Sequence, residues 1–237
     1  MLVYHFVDDH YGLINLKKRR LKVSQFDSVN DPFELLCHSL GGRELRSRMG
    51  KFKKSTASGT GMICFSRSMS SPVQWAHYAN RHKGLCLGFE VPERFLEPVR
   101  YVSERIDFRI EMPWATDAAD PRAEECFLTK YDHWSYEQEL RLFGDLKKPD
   151  PENGLYFNAF CEHMKLVEVY VGCASEIKKH ELHSTLGELR PEVRCFKVRP
   201  AFNSFNMVKN QADEWNYFSY QHGFNVACEM RQAASRW

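Results

Sequence analysis

The sequence has no close pair of cysteines of the CxxC kind, no basic N-terminal segment leading into an apolar one, no apolar run of membrane-spanning length and no excess of either charge. Each absence removes a class of protein. Eight cysteines stand singly at positions 37, 64, 86, 126, 161, 173, 195 and 228. That spacing leaves no zinc knuckle or redox pair and reads as reduced core thiols of a cytoplasmic protein. Without a leader pattern or an apolar run of about 20 residues, secretion and membrane insertion are not expected. Lys and Arg number 33 against 31 Asp and Glu, a net charge of +2, so the dense positive field of a nucleic-acid binder is missing. Internal repeats and low-complexity linkers are missing too, and 237 residues suit one domain over 1–237 with a sizeable core.

What is present is a succession of short strands and helices. Residues 2–7 predict a strand, followed by a turn at Gly12 and a compact helix or turn through Leu13, Ile14 and Leu16 into the basic run Lys17 to Arg20. Residues 21–26 alternate as a strand. Asn30-Asp31-Pro32 predicts an Asx turn with Pro32 opening a helix over 33–54, broken near Gly41-Gly42, and residues 55–61 read as a polar loop. Met62 to Ser66 predicts a strand ending on a serine. Ser71 caps the next helix, whose Trp75, Tyr78, Ala79 and His82 recur at helical spacing up to a stop at Gly84. Strands are expected over 85–89 and 98–103, and over 104–125 a long surface loop, or a loop with one irregular helix. Leu166 to Gly172, a helix near 175–189 and Val193 to Val198 form a strand, helix, strand unit. The aromatic-rich tail 201–237 is too apolar for a disordered tag and is expected to pack back on the domain.

Three patterns carry candidate chemistry. From Trp134 to Phe143 a strand-like period puts Ser135, Glu137, Glu139 and Arg141 on one face and aromatic and aliphatic residues on the other. That face is either a site, where the two carboxylates stabilise an oxocarbenium-like centre, or a solvent-facing ion ladder bridged by Arg141. His5, between Tyr4 and Phe6, is either a donor and acceptor for a sugar hydroxyl or a core histidine satisfied by backbone. Ser66 is either a ligand contact at a strand end or an ordinary strand-ending serine, and no GxSxG elbow surrounds it. Trp75, His77, Tyr78, His82 and Lys83 either line a pocket or, for Trp75 and Tyr78, belong to the core. His77 and His82 are five apart, poor spacing for chelation, so no metal is assigned.

Tyr4-His5-Phe6, Asn30-Asp31-Pro32-Phe33-Glu34, Cys64-Phe65-Ser66, Trp75 to Ala79, Lys83 to Phe89 and Trp134 to Arg141 together resemble the bacterial domain-of-unknown-function family 2971, over about residues 1–200, with 201–237 as an extension. A more distant resemblance joins His5, Ser66 and the Glu137-Gln138-Glu139 strand to the ADP-ribosyltransferase superfamily. That resemblance implies an α+β fold with a split, mainly antiparallel sheet and surrounding helices. It also implies NAD as substrate, cleaved at the nicotinamide glycosidic bond with transfer of ADP-ribose to an unknown acceptor or water. By that likeness His5 holds the adenosine-side ribose and Ser66 orders the nicotinamide pocket, with Tyr78 and Arg141 lining the site. Glu139 steadies the developing cation, and Glu137 orients the acceptor. This chain pairs His5 with Ser66 where superfamily members with His carry Tyr. The rivals are a non-catalytic ligand-sensing or interaction domain in stress response or phage defence, and a nucleic-acid-processing protein using Lys17 to Arg20 and Lys51 to Lys54.

Overall fold

The computed structural model describes residues 1–107, 125–212 and 215. The fold is α+β, with a large, mainly antiparallel sheet and several helices. The chain divides into two compact, interleaved units, the first holding Met1–His5, Lys18–Met69 and Glu90–Lys165, the second Phe6–Lys17, Ser70–Phe89 and the chain from Leu166 onward.

In the first unit β3 (Thr60–Ser66) is the central strand. It pairs antiparallel with β1 (Leu2–Val7), β2 (Arg20–Gln25) and β8 (Glu139–Asp145). Beyond these, β9 (Tyr156–Ala159) pairs with β2 and the short β5 (Glu97–Pro98) with β8, also antiparallel. A parallel pair, β6 (Arg100–Val102) with β7 (Thr129–Tyr131), stands apart. The core under α2 (Arg43–Gly59) gathers Phe26, Leu35, Cys37, Met49, Phe52, Met62 and Cys126.

In the second unit α1 (Asp9–Lys18) starts at Asp9, earlier than the sequence suggests, because Asp8 Oδ1 accepts from Tyr11 N at 2.7 Å. Gly12 lies inside this helix where any Cβ would come 2.9 Å from the Leu85 side chain. Helix α3 (Pro72–Tyr78) is capped by Ser71, as the Ser-Pro pair predicts. It stops at Tyr78 rather than near Gly84, since Asn80, Arg81 and His82 all take left-handed φ. Strands β4 (Leu85–Glu90), β10 (Lys165–Val171), β11 (Arg194–Pro200) and β12 (Met207–Lys209) follow in that spatial order. The parallel β10–β11 pair, joined through α4 (Lys179–Leu186), is the expected strand, helix, strand unit. Of the tail, β12 pairs with β11 and Trp215 is buried. Phe202 and Phe205 stand exposed, and residues 213, 214 and 216–237, with most of the expected loop 104–125, lie outside the described residues.

Three expectations are corrected. Residues 33–42 form turns and a bridge, not a helix, because Leu35 adopts φ +65, which an L-residue in a helix cannot. Residues 55–61 are not a loop: α2 continues to Gly59 and β3 begins at Thr60, since Met49, Phe52 and Thr56 form one buried face at helical spacing. The strand expected from Trp134 begins only at Glu139. Asp132–Glu137 is a 3-10 helix, closed by Gln138 N donating to Ser135 O at 3.1 Å, and Gln138 turns the chain through φ 46.

Candidate functional site

The acidic segment faces inward. Arg141 is fully buried, and Glu139, Glu137 and Glu34 are each 5 % exposed or less, which removes the solvent-facing ladder as a description of this face. Arg141 extends from β8 between two carboxylates. Its Nε donates to Glu139 Oε1 at 2.8 Å and its Nη2 to Glu139 Oε2 at 3.3 Å, while Nη1 and Nη2 reach Glu34 Oε1 and Oε2 at 2.6 and 3.0 Å. The guanidinium also donates to the Phe127 carbonyl. Lys130, from β7, contacts Glu137 Oε2 at 2.6 Å and Glu139 Oε2 at 2.9 Å. Three buried carboxylates thus share two buried cations.

The consequences for protonation differ along the network. Burial opposes ionisation of Glu139, but Arg141 and Lys130 outweigh it and hold the carboxyl down to about 2. At Glu34 burial wins over Arg141 and raises the carboxyl. Burial works against the charge on Lys130, yet Glu139 and Glu137 more than offset it and push the ammonium up. Tyr101 accepts from Glu139 N at 2.8 Å, and burial raises its hydroxyl to about 12.

Of the residues singled out in the sequence, Ser66 and Glu139 are register partners across β3 and β8, and Tyr4 faces Ser66 across β1 and β3. Strand alternation therefore puts Tyr4, Ser66, Glu139 and Arg141 on one face. His5 takes the other. It packs edge-on against Phe65 at 6.1 Å, and its Nδ1 lies 3.0 Å from the Cys64 carbonyl; burial lowers its basicity. Ser66 Oγ closes a local turn, donating to Ser68 O at 3.0 Å and accepting from Ser68 N at 3.2 Å. Tyr78 is half-buried in the second unit, next to the fully buried Trp75. The basic run is engaged as well: Lys18 pairs with Glu152 at 2.6 Å, and Arg20 pairs with Asp150 and lies 3.7 Å over the Phe157 ring.

The first unit also holds a cavity of about 370 Å³, lined in part by Asp31, Phe33, Cys37, Arg105, Lys130 and Tyr131. Of these, Phe33 and Tyr131 are exposed, and the Arg105 guanidinium stands 5.1 Å from the Phe33 ring. Asp31, also in the lining, is buried at 2 % exposure. Its Oδ1 accepts from Phe33 N at 2.9 Å, as the expected Asx turn requires, but Oδ2 is buried without a hydrogen-bond partner among the described residues. Cys37 connects this wall to a second cluster. The Cys126 thiol, 3.7 Å away, holds the Cys37 thiol down to about 6, with burial opposing and His38 assisting.

Glu34, Lys130 and the Cys37, His38, Cys126 group were not marked as site residues by the sequence. Glu34 sits in the quoted Asn-Asp-Pro-Phe-Glu motif, where a charged residue among apolar neighbours was the available signal. Lys130 and Cys126 are joined to their partners only through tertiary pairing. The chain matches no family model, no curated protein and no solved structure, so both resemblances rest on their motifs alone.

Proposed function

We propose that the first unit is a ligand-sensing module whose 370 Å³ cavity takes a small planar ligand with an N–H donor and an anionic group, a single nucleotide in size and chemistry. The observation that carries this reading is the buried Asp31 carboxylate in the cavity lining, one oxygen committed to its own turn and the other without a hydrogen-bond partner among the described residues. A buried carboxylate oxygen without a donor costs free energy that a bound N–H recovers. Phe33 and Tyr131 offer exposed ring faces, and Arg105 offers a cation to a phosphate. The volume lies at the lower end of the about 300–1,000 Å³ typical of ligand pockets, closer to one nucleotide than to a dinucleotide. Binding without turnover follows from the network behind Lys130, where every carboxylate is already held by a cation.

Thermal unfolding and calorimetric titration with nicotinamide mononucleotide, AMP and NAD test it. Asp31→Asn keeps an acceptor for Phe33 N but replaces the free oxygen by an amide donor. It is expected to weaken binding by about 10- to 100-fold. Binding by none of the three, or equal binding by Asp31→Asn, would overturn the reading.

One observation favours a second reading, NAD cleavage on an ADP-ribosyltransferase-like split sheet: the register that sets Tyr4, Ser66 and Glu139 side by side. Its measurement is nicotinamide release from NAD that Glu139→Gln abolishes.

A further inference from the structure

Outside the acidic network, one cluster brings metal-ligating atoms together. His38 Nδ1 lies 3.3 Å from Cys37 Sγ and 3.6 Å from Cys126 Sγ, and the two sulfurs are 3.7 Å apart. All three residues are buried. A tetrahedral zinc ion with Zn–S near 2.3 Å and Zn–N near 2.0–2.1 Å sets its donors apart by about 3.8 Å for S···S and about 3.5 Å for N···S. The observed triangle matches that template on every side.

From this geometry we propose that Cys37, His38 and Cys126 bind a zinc ion. The surrounding chain is built to hold the three donors. Ile106 N donates to Cys37 O at 2.9 Å and Ser39 N to Ile106 O at 3.0 Å, so the backbone on both sides of His38 is pinned by one bridge. His38 Nε2 lies 3.0 Å from Glu125 Oε2, and Arg100 Nη2 donates to Glu125 Oε1 at 2.6 Å. A carboxylate that accepts a hydrogen bond from Nε2–H fixes the proton there and leaves the Nδ1 lone pair for the sulfurs, the arrangement that orients metal-bound histidines. Phe26, Leu35, Met49, Phe52 and Met62 pack around the cysteines.

Two metal-free uses of the same residues account for less of the geometry. A thiol hydrogen-bonded to Nδ1 needs one sulfur, and a disulfide needs no imidazole, whereas here one nitrogen lone pair meets two sulfurs within a 0.3 Å spread. Among the described residues three donors converge, which leaves a coordination position for water or another donor, as in catalytic zinc sites. The proposal goes beyond the nucleotide reading and does not depend on it.

Cobalt titration of the full chain after chelator treatment is the test. The wild-type chain is expected to bind one equivalent, with thiolate-to-cobalt charge-transfer absorption and the intense visible bands of tetrahedral coordination, and zinc displaces it. Cys126→Ser and His38→Ala lose these bands. Glu125→Gln keeps the bands but weakens affinity about 10- to 100-fold, and Cys161→Ser, at an exposed thiol, changes nothing. Because the ligand variants can fail to fold, the wild-type stoichiometry decides: a folded wild-type chain that takes up neither cobalt nor zinc overturns the proposal. So does a spectrum without thiolate charge transfer, or a Cys37–Cys126 disulfide forming unhindered in excess zinc.

Discussion

Arg141 has no exposure, and each of its nitrogens contacts a carboxylate oxygen of Glu34 or Glu139. Removing it leaves those acids facing a single remaining cation, Lys130. Arg141→Met is therefore expected to lose about 3–5 kcal/mol of stability in urea unfolding. The same physics predicts recovery. Adding Glu34→Leu and Glu139→Leu to Arg141→Met leaves the one-to-one pair of Lys130 and Glu137, and replacing a buried ion group by apolar side chains is close to neutral. The triple variant is expected to regain most of the loss, and a triple variant weaker than the single would sink this account of the network. The two acids also carry opposite pH signatures. Glu139 is held down to about 2 in the folded chain against about 4.3 unfolded, so its contribution is present above pH 4.3 and fades as pH falls towards 2. Glu34 is raised, so its contribution is present below its unfolded value and is lost as pH rises through the folded one. Between pH 5 and 3, Glu139→Gln should flatten the acid loss of stability and Glu34→Gln should steepen it, read from urea midpoints at each pH.

At the scale of elements, close packing makes glycine obligatory where strand ends meet turns. A Cβ on Gly172 would run into the His82 carbonyl oxygen and come 2.7 Å from the His82 carbonyl carbon, while Gly172 N donates to Gly84 O at 2.9 Å. Backbone cannot yield as a side-chain tip does, so Gly172→Ala is expected to cost more than the about 1–3 kcal/mol of ordinary overpacking, measured by thermal unfolding. Much of the element order was legible because it follows local rules: alternation fixed β2, the buried-looking run Leu85 to Phe89 marked β4, and the Ser71-Pro72 pair fixed the start of α3. The failures have local causes too. A period-2 reading over Trp134 to Gln138 could not foresee a left-handed Gln138, and polar Ser55 to Gly59 hid the last turn of a helix whose buried face runs through Met49, Phe52 and the polar Thr56. The inward direction of Glu139 and Arg141 was one of two readings open in the alternating pattern. What decided it, Glu34 from a turn 107 residues earlier in the chain, belongs to tertiary pairing. The same is true of Cys37 and Cys126, 89 apart in the chain and 3.7 Å apart in space.

At the scale of the whole molecule, every residue lining the 370 Å³ cavity belongs to the first unit, although that unit is assembled from three separate chain segments. A ligand there ties residues 31–37 to residues 102–105 and 129–131, which local sequence does not link. Binding energy then appears as stability of the assembled unit: at a ligand concentration 100 times Kd the gain is about 2.7 kcal/mol. Hydrogen exchange locates that gain. Saturation with nicotinamide mononucleotide is expected to slow exchange in 31–37, 102–105 and 129–131 together, because opening any one of them releases the ligand. Strands β10 and β11, in the second unit, serve as the internal reference. At the same ligand concentration Asp31→Asn, by weakening binding about 10- to 100-fold, should shrink all three effects together. Slowing confined to one of the segments would mean a surface contact instead of a cavity ligand, for only an occupant of the cavity makes their protection rise as one.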